Sequence, residues 1–293
     1  MDEPRTRTTE VLVEGLRFPE GPRWHGHLLF VSDMHAGRII TVSEHGEVAI
    51  FAEVPGLPSG LGWDPDGHLM VVSMDDRSVL KFHTDGAQRF ADLSGLVASP
   101  CNDMVVDAAG GAYVGNFGFD LHGGADPVPT VLIRVAPDGA VSVAAEDVRF
   151  PNGSVITPDG RTLIVGETFA GRLTAWAIAP DGTLSDRRVW ARLEGAVPDG
   201  ICLDAEGAVW SACPLSGRVL RVLEGGAVTD VVTVDRAGAF ACMLGGADRR
   251  TLFICTADDS DPAATVAARS TVTTSVTAPP SRTRSTRPES GQA

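Results

Sequence analysis

Pro19-Glu20-Gly21, Pro58-Ser59-Gly60, Pro151-Asn152-Gly153 and Pro198-Asp199-Gly200 are four copies of one tripeptide, each with a different residue at its centre. Two degenerate copies, Cys101-Asn102-Asp103 and Ala241-Cys242-Met243, complete a series whose centres lie 39, 43, 50, 47 and 43 residues apart. Self-similarity at such a period signals a propeller or a helical array. The segments between the copies decide for strands. Ser59, Asn102, Asn152 and Asp199 are each followed eight residues later by a glycine, in turns such as Asp64-Pro65-Asp66-Gly67 and Asp204-Ala205-Glu206-Gly207. These turns suit hairpins. β-prone runs follow, such as Leu69–Val72 and Thr162–Val165, and then a second set of turns such as Thr84-Asp85-Gly86 and Pro180-Asp181-Gly182. Each unit is therefore two hairpins. Six such units predict an all-β fold, a six-bladed β-propeller with four-stranded blades, as a single domain over residues 1–268. The central residue of each copy then opens the innermost strand of its blade, where residues distant in sequence meet at one end of the channel.

Two departures from the period locate special features. The third unit is about ten residues longer than the second, and the excess falls within Asn116–Pro127, a glycine-rich stretch containing Phe117, Phe119 and Leu121. Beside the channel mouth it is expected to form a lid. After Asp261-Pro262 the turn and strand grammar fades, and residues 269–293, rich in Ser, Thr, Arg and Pro, are expected to be a disordered tail. Ring closure is expected to use Thr9–Val13 as the outer strand of blade six, with a third strand from around Thr271–Thr277.

Bulk composition removes several function classes. The net charge of −14, with Lys81 the sole lysine, is wrong for nucleic-acid binding, which rests on clustered Lys and Arg. GxxxxGK[ST] and GxSxG are both absent, which argues against a P-loop and a serine-hydrolase triad. Five cysteines without CxxC spacing fit reduced, buried thiols, and His25, His27, His35 and His45 read as surface residues. No run of 18 apolar residues and no basic leader before an apolar stretch is seen, so a cytoplasmic protein without membrane association is expected.

Glu20, Asn102, Asn152 and Asp199 bring two carboxylates and two amide oxygens to one point. That set suits one hard divalent cation, Ca²⁺ first, with Mg²⁺, Mn²⁺ or Zn²⁺ as alternatives. Ser59 and Cys242, poor ligands for such an ion, are expected to shape the substrate pocket. A cation there can polarise a carbonyl or phosphoryl oxygen and drive hydrolysis, with Asp199 or Glu20 as base or nucleophile.

Phe18-Pro19-Glu20-Gly21-Pro22-Arg23-Trp24, Asn102-Asp103, Phe150-Pro151-Asn152-Gly153 and Val197-Pro198-Asp199-Gly200 together resemble the regucalcin (SMP-30), gluconolactonase and luciferin-regenerating-enzyme family. The resemblance implies a six-bladed propeller, a divalent metal held by Glu20, Asn152 and Asp199, and Asn102 near both metal and substrate. It further implies a lactonase with Asp199 as catalytic base. Some sugar-acting relatives carry an arginine two residues before the position of Asn102, where this chain has Pro100. With Phe117, Phe119 and Leu121 in the inserted loop, this points to an apolar lactone or ester as the small-molecule substrate. A phosphotriesterase or organofluorophosphate hydrolase, and a calcium-binding propeller without catalysis, stand as the alternatives.

Overall fold

Runs such as Leu28–Asp33, Leu69–Ser73 and Val209–Cys213 are apolar nearly throughout, as strands buried on both faces require. They form the second strand of their blades. A computed structural model describes residues 3–235, 238–265 and 270–276 and resolves them into six antiparallel sheets arranged around an axis. The inner strands, blades one to six, are Pro19–His25, Pro58–Trp63, Cys101–Val106, Pro151–Ile156, Ile201–Leu203 and Gly238–Gly245. Each packs against the inner strands on either side, and blade six meets blade one, so the ring is closed. The protein is a six-bladed β-propeller.

The core lies between blades rather than at one centre. Trp24 of blade one stacks on Phe253 of blade six at 5.3 Å, and Met70 and Val72 of blade two share a buried cluster with Met104 and Val114 of blade three. Outer strands face solvent and tolerate exposed side chains, as Val48–Glu53 shows. Hairpins turn where the sequence places them: Gly67, at φ 84°, donates its N–H to Asp64 O.

Closure joins the two ends of the chain. Glu10–Leu16 is the outer strand of blade six and pairs with Ser270–Val276, which in turn pairs with Thr251–Ala257. Ser270–Val276 is the third strand anticipated around 271–277, so the propeller continues past the boundary drawn at 268. Composition misplaced that boundary because this strand is built of Ser, Thr and Val without strong apolar residues. The remainder of the expected tail, 277–293, lies outside the described residues. Ahead of the closing strand, Arg5–Arg7 adds in parallel to the outer strand of blade five, Val228–Thr233. Arg5 and Arg7 bind the buried Asp230 carboxylate at 2.9 and 2.8 Å. Among the described residues no helix is long and apolar enough to cross a membrane.

Candidate active site

The proline motif works through the residue before it. Phe18, Leu57 and Phe150, each preceding the motif proline, adopt left-handed φ of 66°, 63° and 53°, which bulky residues do not favour. Neighbouring strands enforce it. The carbonyls of Phe18, Leu57 and Phe150 accept the N–H groups of Met34, Met74 and Thr168, while the carboxylates of Asp33 and Glu167 accept those of Arg17 and Arg149. Asp33 and Glu167 are themselves held by Arg38 and Arg172. Within each motif the inner strand then slips register, between Glu20 and Arg23, Pro58 and Leu61, Cys101 and Met104, and Pro151 and Ser154. Such bulges re-aim side chains.

The motif glycine serves the contact between blades. A Cβ on Gly153 would stand 2.5 Å from Asp199 O and 2.7 Å from Gly200 Cα; one on Gly21 would stand 2.5 Å from Ser59 O. No side chain fits there, so each glycine lets the next inner strand approach closely.

Glu20, Ser59, Asn102, Asn152 and Asp199 all line one cavity of about 640 Å³. All five are buried. The connection after the second strand of each blade supplies the rim, through His35, Asp75, Leu121, Phe169, Leu215 and Asp259 in blade order. Phe117 of the inserted loop lines the cavity and stacks on Phe150 at 4.7 Å. Phe119 is not among the lining residues; it packs on Phe150 and Phe169 at 5.9 and 5.2 Å. His35, expected at the surface, lines the cavity.

Cys242 is a correction. It lies away from the cavity, 1% exposed, with its thiol 3.9 Å from Cys202 Sγ and against the carbonyls of Gly200 and Trp210. The sixth copy of the motif is Ala239-Phe240-Ala241: the strand slips register between Ala239 and Ala241, and Phe240 O accepts the Gly200 N–H. Phe240, the centre of that copy, lines the cavity.

Burial dominates the electrostatics. It pushes Glu20 up to about 8, helped by the Asp103 charge and opposed by the Gly21 N–H and by Arg23. Asp199 is raised well above the usual carboxylate range by burial first, then by Glu20 and Asp103. Arg23 is bound to Asp103 at 2.9 Å. Arg23 thus offsets Glu20 and Asp103, while Asp199 is opposed only by a hydrogen bond from Asn152.

Two neutral groups are poised as acceptors. Asn102 Oδ1 is buried without a hydrogen-bond partner. Asn152 donates its amide N–H to Thr168 Oγ1 at 3.2 Å, and Thr168 spends its own proton on Pro198 O at 2.8 Å. That chain fixes the Asn152 amide and leaves its oxygen free. Gly115 makes room for Asn102, since a Cβ there would come 2.6 Å from Asn102 Oδ1. Neither Thr168 nor Gly115 was singled out in the sequence; both act across strands, where no local motif marks them.

Residues 18–258 match the family model described as the SMP-30/Gluconolactonase/LRE-like region. The chain belongs to that family. It is 32% identical to regucalcin of Danio rerio over 160 residues, 53% of this chain and 54% of that protein. It is 29% identical to 6-deoxy-6-sulfogluconolactonase of Pseudomonas putida over 243 residues, 80% of this chain and 81% of the relative. A gluconolactonase structure from Xanthomonas campestris superposes with a TM-score of 0.73 at 25% identity, covering 91% of this chain and 88% of the other.

Among its described residues this SMP-30/gluconolactonase-like propeller holds one further acidic group, Asp64, Asp66 and His68, in the hairpin at the far end of the second inner strand. Its strongest acid is already engaged: Asp64 is bound by Lys81 at 2.5 Å and by His68, which lowers it to about 2 despite burial. A cation from the chain itself occupies that turn.

Proposed function

We propose that this protein is a divalent-metal-dependent lactone hydrolase whose cavity is the catalytic site. The observation that carries the proposal is the convergence of Glu20, Asn102, Asn152 and Asp199 on one cavity, with Asn102 Oδ1 buried and unpartnered. Burial makes the ionised forms of Glu20 and Asp199 costly, which is why both are raised, and a hard cation would displace their protons and offset the charge. Glu20, Asn152 and Asp199, with Asn102 beside them, would hold the ion; Ca²⁺ suits the oxygen set, and Mg²⁺, Mn²⁺ and Zn²⁺ are the ions to compare. When bound, such a cation polarises a carbonyl oxygen.

Everything else falls to the chain. Asp199 accepts the proton of the attacking water as general base. Asn102 orients the carbonyl of the substrate, and the Phe117–Phe150–Phe169 wall excludes water. The Pseudomonas putida and Xanthomonas campestris relatives are named for gluconolactones, yet Pro100 and this aromatic wall offer little to sugar hydroxyls. A lactone with an apolar arm fits better.

The test is turnover of a lactone panel, gluconolactone included, with chelator and after addition of each cation. Asp199→Ala at saturating metal is expected to lower kcat by about 10²–10⁴, the range of general-base catalysis, and Asn102→Ala by less. Turnover of phosphotriesters alone would replace the lactonase with a phosphotriesterase. Calcium binding without any turnover would leave a binding propeller.

A further inference from the structure

We propose that His35 contacts the substrate, its Nε2 accepting one hydrogen bond from an N–H or O–H on an otherwise apolar arm of the lactone. The proposal rests on the lactone reading for its substrate and on the structure of the rim for its chemistry. His35 lies in the connection after the second strand of blade one and lines the same cavity as Glu20 and Asp199. Its ring is stacked on Phe18, with centroids 4.8 Å apart and planes at 11°, and Phe18 meets Phe240 edge-on at 4.7 Å. The imidazole is therefore fixed in position.

One ring nitrogen is engaged as well. Nδ1 lies 2.5 Å from Oγ1 of Thr265, a fully buried residue in the short helix Pro262–Thr265 that follows the second strand of blade six. The Thr265 hydroxyl donates to Pro262 O at 3.2 Å. A hydroxyl has one proton to give; given to Pro262 O, it leaves the oxygen to accept from His35, and we take Nδ1 as the protonated nitrogen. Nε2 then presents a lone pair with no hydrogen-bond donor among the described residues. The ring also stays neutral: burial and His122 of the inserted loop push its pKa down to about 4, against the opposing pull of Asp261.

Phe18, Met34, Leu57 and Phe240 give the cavity an apolar stretch beside His35, with Asp258, Asp259 and Ser260 also on the rim. A donor carried into such a stretch loses water and needs a partner, and His35 is placed to supply it. A site of this kind distinguishes substrates that differ by a single donor.

Two lactones with the same apolar arm test this, one joined through a secondary amide and one through its N-methyl form. The native protein is expected to favour the N–H form by about tenfold or more in kcat/KM. His35→Phe keeps the stack on Phe18 and removes the acceptor; its expected preference is near one, with the N-methyl lactone changed less than about threefold and the thermal transition retained. Equal kcat/KM for the pair in native protein, or equal losses on both in His35→Phe, would overturn the proposal. Cyclopentanone analogues with the same two arms, in which a methylene replaces the ring oxygen, give Kd by calorimetry without turnover. A native preference in Kd that His35→Phe abolishes, with no lactone hydrolysed, would sink the hydrolase reading and keep His35. Hydrolysis with no preference in either assay would do the reverse.

Discussion

Glu20 carries the sharpest electrostatic consequence of the ring, because burial leaves its carboxyl protonated up to about pH 8. A cation that binds there must displace the proton. Divalent-metal affinity is therefore expected to rise with pH up to about 8 and to be accompanied by proton release, which calorimetry in buffers of different ionisation enthalpy reads directly. Glu20→Gln should bind metal more weakly and lose most of that dependence. In the metal-free protein the linkage has a definite sign. The folded-state pKa is raised, so Glu20 contributes stability that is full below its ordinary value of 4.5 and is lost as pH rises through about 8. One such group loses about 1.4 kcal/mol per pH unit within that window. Thermal unfolding in chelator should accordingly show native protein falling between pH 5 and pH 8 more steeply than Glu20→Gln. Equal slopes for the two would mean that Glu20 is not the buried acid described here.

The repeated element was readable because its chemistry is local. Proline opens the strand, the central residue is turned to the axis by the bulge, and glycine permits the next blade to approach; each demand leaves a residue in the sequence. Blade six meets the same geometry with Ala239-Phe240-Ala241, which has neither proline nor glycine, and so the series was carried two residues too far, to Cys242. Thr168, Gly115 and the Asp33 and Glu167 braces were illegible for another reason, since each acts on a partner in a different strand or blade. The role given to glycine can be tested by substitution. Gly153→Ala places a methyl 2.5 Å from Asp199 O, at a backbone conformation that alanine otherwise tolerates. It is expected to cost about 1–3 kcal/mol as overpacking and to weaken metal binding, because the strand it displaces carries Asp199. Gly160→Ala is the control: its φ is 71° with nothing within 4 Å, so about 1 kcal/mol of backbone strain and unchanged metal affinity are expected. Matching effects of the two substitutions would show that the close approach of blades four and five is not what the motif glycine secures.

A propeller is stable only as a closed ring, and here closure depends on a segment whose composition hides its role. Ser270–Val276 is paired on one side with Thr251–Ala257 and on the other with Glu10–Leu16. Among the described residues it is thus the only strand through which the chain's first long strand pairs with the rest of blade six. Val272 is fully buried and belongs to the cluster that contains Trp24, Leu29 and Phe253, so the strand joins the core of blades six and one as well as the sheet. The N-terminal clasp of Arg5 and Arg7 on Asp230 holds the same end of the ring to blade five. Removing Ser270–Val276 would strip Glu10–Leu16 of its partner, expose an unpaired edge on Thr251–Ala257 and open the apolar contact between the first and last blades. Truncation after Ala268, the boundary that composition suggests, is therefore expected to abolish the cooperative thermal transition and give aggregated protein on size exclusion. Truncation after Ala278 spares every described strand, and its thermal midpoint, metal affinity and lactone turnover are expected to match those of the full chain. If the shorter protein instead unfolds at the native midpoint, the ring does not need its third closing strand. If the longer one loses turnover while keeping that midpoint, residues beyond 278 belong to the site rather than outside it.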